Sequence, residues 1–139
     1  MKKQQKEMSY LDSVHRAGRI WNLCMMLAMF LYPILVGLIY GAAPDGHGLV
    51  MGLIATAPMY WAVGIVETFT YVPMLGAGGS YLSFVTGNIS NLKLPVALNA
   101  LEQTNANIRT EEGEIVSTVA IAVSSIVTMG IICLGVLLI

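Results

Sequence analysis

The stretch Glu67–Lys93, ETFTYVPMLGAGGSYLSFVTGNISNLK, lies between apolar segments of membrane grade, yet it carries a proline, a run of glycines and clustered small polar groups. In hydrocarbon, each backbone N–H or C=O released from helical pairing costs several kcal/mol. Irregular chain at that depth therefore survives only where protein covers it or a water-filled cavity faces it. Two apolar pieces, Phe69–Leu75 and Tyr81–Val85, are each too short to cross a bilayer. Between them Gly76-Ala77-Gly78-Gly79-Ser80 supplies the positive φ angles that a sharp reversal needs. The expected shape is a re-entrant hairpin over about 68–92 with its tip at these glycines and Ser80 capping the descending arm. The same residues also allow one long tilted helix from Leu49 to Leu75.

Upstream, Ile20–Tyr40 gives 21 largely apolar residues, enough at about 1.5 Å per residue to cross a hydrocarbon core of roughly 30 Å. Pro33 in its interior is expected to kink it. The run is longer than a signal-peptide core and is read as an uncleaved anchor. GAAPDGHG, residues 41–48, has the composition of a tight turn and no basic residue. The second span is Leu49–Val66, interrupted by Pro58. Downstream, Pro95 suits the first turn of a short helix over 94–101. The polar loop 102–114 belongs in water, and Ile115–Ile139 runs 25 residues without a charge, the clearest transmembrane helix of the chain. Ser117, Ala120, Ser124 and Ser125 place small side chains along one side of it, which suits close helix packing.

Composition agrees with that division. The 139 residues are 56% hydrophobic and 11% charged, with mean hydropathy +0.73, where soluble domains average about 25% charged. Five of the seven basic residues (Lys2, Lys3, Lys6, Arg16 and Arg19) precede the first span. That bias predicts a cytoplasmic N-terminus, in a short polar and amphipathic segment over 1–19. It is no nucleic-acid patch. Cys24 and Cys133 lie inside apolar spans and imply neither a disulfide framework nor a metal motif. His15 and His47 have no ligand partners at useful spacing, so no metal or other cofactor is expected.

Candidate contact residues follow from the polar groups that interrupt the apolar chain. Thr86-Gly87-Asn88-Ile89-Ser90-Asn91 concentrates hydroxyl and amide groups able to replace part of a small ligand's hydration shell. A plain interfacial loop would have the same composition. A helix starting near Ser80 would turn free N–H groups and a positive dipole end toward an anion. The glycine run lacks the lysine of a phosphate-binding loop. Glu67 is the one acidic residue with membrane-like sequence on both sides. It is a candidate for cation or proton binding, or else sits at the boundary paired with Lys93. The substrate- or ion-contact set is thus Glu67, Ser80, Thr86, Asn88, Ser90 and Asn91, with Gly76, Gly78, Gly79 and Gly87 as hinge or tip positions. No nucleophile–base pair or paired carboxylates point to an enzyme.

The fold class is therefore all-α integral membrane, with three transmembrane helices and a re-entrant hairpin in one membrane domain over 20–139. From Leu49 to Ile139, the order of span, broken segment and span loosely resembles one half of an inverted-repeat secondary transporter, in which paired repeats meet near the midplane. That resemblance implies a subunit of an oligomeric transporter for a small polar solute or ion in the plasma or inner membrane. Its partner would be a second copy or a second membrane subunit, with lipid as its surroundings. An ion channel and a non-transporting assembly subunit are the other expectations the pattern allows.

Overall fold

The computed structural model describes the backbone of residues 2–139 and the side chains from residue 10 onward, so Lys2, Lys3 and Lys6 fall outside the described side chains. The described residues form four α-helices and one π-helical turn: α1 Lys2–Tyr40, α2 Gly46–Thr86, the turn Ile89–Lys93, α3 Leu94–Thr104 and α4 Glu111–Leu138. None of them is in a strand.

Local chemistry explains the helix ends. Asp45 accepts the Gly48 N–H at 3.0 Å to start α2, and Thr110 accepts the Gly113 N–H at 3.2 Å to start α4. Glu111, Glu112 and Glu114 then fill the first turn of α4, where the helix dipole favours negative charge. Pro95 sits in the first turn of α3, as the sequence predicts, and Asn105 ends that helix in the left-handed region at φ 52°.

α2 is not a single rod. Gly76 has φ 73° and ψ 176°, a region open essentially to glycine alone, and it divides the helix into α2a, residues 46–75, and α2b, residues 77–86. The bend brings Phe84 back toward α2a, where it shares a depression with Ile65 and Thr68. α2b then runs parallel to α4, since Leu75 meets Ser117, Gly79 meets Ile121 and Thr86 meets Ser125. α3 returns antiparallel to α4, from Lys93 beside Ser125 to Asn107 beside Gly113. α1 lies antiparallel to α2, with Gly18 against the Tyr81 ring at one end and Gly37 beside Leu49 at the other.

The core is small and sits where α2b, α3 and α4 converge. Leu75, Ile89, Ala97 and Ile121 are buried there, with Tyr71, Leu82 and Leu94 packed on them. Most of the apolar surface instead faces outward: Trp61, Phe69, Ile126 and Leu137 are all at least 72% exposed. Three helices, Tyr10–Tyr40, Gly46–Thr86 and Glu111–Leu138, are long and apolar enough to cross a membrane. Outward apolar faces of this extent have lipid or protein as their natural surroundings.

One expectation from the sequence changes here. The residues 68–75 do not fold as a short arm: they continue α2a, the long helix that was the alternative reading. The break at Gly76 is real, but the hairpin it begins has α2b and α3 as arms and Gly87–Lys93 as its turn. The reason is that Gly78 and Gly79 serve a helix–helix contact rather than a loop, because removing their side chains lets α4 approach closely. α1 is one helix from Lys2 to Tyr40, with Pro33 inside it and residues 2–19 as its first half.

Candidate functional site

Most buried polar groups among the described residues gather along the seam between α2b and α4. At its upper end, Glu114 Oε1 accepts the Ala77 N–H at 3.3 Å. In an unbroken helix that N–H would return to the Pro73 carbonyl, so the Gly76 break releases it and the carboxylate takes it up at the positive end of α2b. Ser117 donates to the Leu75 carbonyl at 2.8 Å, and Ser80 donates to the Gly76 carbonyl at 2.6 Å. Two carbonyls at the break thus gain hydroxyl donors from serines that are themselves buried.

The lower end of the seam holds a lysine. Lys93 is 1% exposed and its ammonium donates to Ser125 Oγ at 2.8 Å and to Ser124 Oγ at 3.4 Å. Ser125 spends its proton on the Ile121 carbonyl at 2.7 Å, which leaves its lone pairs for Lys93. Thr86, 3.3 Å from Ser125, donates to its own Leu82 carbonyl. Hydroxyls are the hydrogen-bond partners of this buried cation, and burial penalises the ammonium form where hydrogen bonding is incomplete. Lys93 also lies just beyond the C-terminal end of α2b, the end that favours positive charge. Between the two charged ends, Ser83 Oγ and Thr118 Oγ1 are buried with no hydrogen-bond partner.

A second polar group closes the other side of α2b. His15 on α1 lies 3.1 Å from the Tyr81 hydroxyl, with the rings edge to face at 5.7 Å. Together with the break, these residues border an open cavity of ≈ 610 Å³ between α1, α2 and α4, whose wall includes Asn22, Ser80, Tyr81 and Glu114.

The residues singled out from sequence divide. Ser80 is buried on the seam, but as a donor inside α2b rather than as its cap; Glu114 holds that place. Thr86 touches Ser125 from an exposed position. Asn88, Ser90 and Asn91 are exposed at the hairpin turn, where Asn88 adopts φ 56° and supplies the left-handed step before the π-helical turn. Glu67 is half-buried on α2a beside Tyr60, Gly64 and Phe84. It does not pair with Lys93, which points into α4. Gly76 is the hinge, Gly78 and Gly79 are packing positions, and Gly87 ends α2b at φ 72°. Sequence reading considered Lys93 only as a partner for Glu67 and passed over Glu114, Ser83 and Thr118. The charge on Lys93, next to apolar Leu92 and Leu94, was the available signal. Among the described residues, no group of three His, Cys, Asp or Glu side chains can hold a metal. No protein-family model matches the chain, and no curated protein or solved structure matches it.

Proposed function

We propose that the chain is a subunit of an oligomeric membrane transporter for a small polar solute or ion. The observation that carries this reading is the discontinuity of α2: a helix broken at Gly76, with Glu114 at the free N-terminus of α2b and buried Lys93 beyond its C-terminus. Broken helices are costly in lipid, and charged groups retained at membrane depth mark solute or proton paths. In this reading α2b and α3 form a hairpin that dips from one interface to the level of Ser125, midway along α4. Glu67, Ser80, Thr86, Asn88, Ser90 and Asn91 lie near the path, and Gly76 is the hinge for alternating access. The exposed apolar faces of α1, α2a and the far half of α4 are where the partner subunit and lipid sit. The N-terminus is cytoplasmic.

The test is uptake into proteoliposomes, with particle mass measured in nanodiscs. The expected result is a complex larger than one chain whose uptake is coupled to an ion gradient and lost in Lys93→Met. Conduction without coupling identifies a channel. A second reading, a non-transporting assembly subunit, draws on the exposure of Asn88, Ser90 and Asn91. It wins if the complex transports equally well with Lys93→Met and with Asn88→Ala.

A further inference from the structure

We infer that the cavity at the Gly76 break binds a primary ammonium group carried on an apolar body. The site extends the transport reading by naming a cargo class and rests on that reading only for the word cargo; binding itself needs no flux. The break exposes two opposite helix ends. The positive one, at Ala77, is already occupied by Glu114 Oε1, so an anion finds that place filled. The negative one is the C-terminus of α2a, and Pro73 of its last turn lines the cavity. Two further acceptors on the same wall lack partners: Glu114 Oε2 and Asn22 Oδ1 are both buried and unpaired. An unpaired buried acceptor carries its full desolvation cost, which a hydrogen-bond donor relieves.

An ammonium supplies three N–H donors and no acceptor, the complement of a carboxylate oxygen, an amide oxygen and a helix C-terminus. The remainder of the wall is mainly apolar, with Leu11, Val72, Phe84 and Ile108, so the ligand needs a hydrocarbon or aromatic part as well as its charge. The volume of ≈ 610 Å³ is that of a small-molecule site, far more than a bare metal ion fills. Arg109 also borders the cavity, but it is exposed, and His15 is engaged by Tyr81. An ammonium of this kind comes from a free amine or from the headgroup of phosphatidylethanolamine.

Two binding assays on the full chain separate those sources. In maltoside micelles, protonated hexylamine is titrated beside 1-hexanol, with ligand-detected NMR as the readout. In nanodiscs, retention of phosphatidylethanolamine is compared with phosphatidylcholine by native mass spectrometry. A free-amine site binds hexylamine over hexanol; a lipid site retains the ethanolamine headgroup over choline. Either preference is expected to weaken about tenfold or more in Glu114→Gln, where one charge-assisted contact is lost. Gln keeps an oxygen for the Ala77 N–H, and Asn22→Leu provides a second variant that leaves that cap intact. The inference is overturned if wild-type protein shows neither preference, or if both variants retain it unchanged. A preference without flux in proteoliposomes upholds the site and removes transport alone.

Discussion

Ser125→Ala tests whether Lys93 is held charged by the hydroxyl seam or is merely tucked into it. The substitution removes the acceptor 2.8 Å from the ammonium of a lysine that is 1% exposed, leaving Ser124 at 3.4 Å as its hydrogen-bond partner. Hydrogen bonds to charged groups contribute about 1.5–3 kcal/mol, so Ser125→Ala is expected to cost about 2 kcal/mol. The Ile121 carbonyl also loses a contact, but as a helical carbonyl it retains its backbone donor, and that loss is minor. Lys93→Met keeps most of the volume and removes the charge. A lone buried charge bears a desolvation cost that no opposite charge offsets, so this replacement is expected to be neutral or stabilising. In the Lys93→Met background Ser125→Ala then has no cation to strand and costs about 0.5 kcal/mol or less, giving a coupling near 1.5 kcal/mol. Reversible unfolding in mixed detergent micelles, followed by far-UV circular dichroism, measures all four corners of the cycle. Additive effects within about 0.5 kcal/mol would refute the assigned hydrogen bond. A Lys93→Met protein less stable than wild type by more than about 2 kcal/mol would make the lysine structural, and its retention for function would lose its basis.

Three further substitutions probe the break and its contacts. Gly76→Ala forces a Cβ into φ 73° and within 3.1 Å of Glu114 Cγ, and is expected to cost about 1–3 kcal/mol in the same unfolding assay. Gly78→Ala places its Cβ 2.5 Å from Thr118 Oγ1; a loss of about 1–3 kcal/mol is expected, with partial recovery in Gly78→Ala/Thr118→Ala, and no recovery would remove the α2b–α4 contact from consideration. Thr110→Ala deletes the acceptor for Gly113 N–H and should cost about 1 kcal/mol, seen as earlier hydrogen exchange at the first turn of α4.

The candidate site was only partly legible in the sequence because its two charged ends are defined across the fold. Lys93 looked like the polar end of a loop. The turn that carries it has Asn88 in the left-handed region, and this swings the chain so that the ammonium meets α4 instead of water. Glu114 looked like one of several loop acids. It caps α2b because the parallel approach of α4 brings its first turn beside Ala77, thirty-seven positions earlier in the chain. Asn88, Ser90 and Asn91 had the right chemistry for ligand contact, and their exposure follows from the hairpin turn lying at the edge of the bundle.

By itself the sequence determined the parts that depend on local physics: three helices of membrane-grade length and hydropathy, a break in the neighbourhood of Gly76 and the first-turn proline of α3. Each of these is a property of a few neighbouring residues, whether apolar run length, a glycine's freedom at positive φ or a proline's missing N–H. Only the tertiary structure decided which glycines turn and which pack, where the hairpin reverses, and which serines meet which carbonyls. Those choices rest on close approach between helices distant in sequence, where the absence of a Cβ at Gly78 and Gly79 and the reach of one lysine side chain fix what lies beside what.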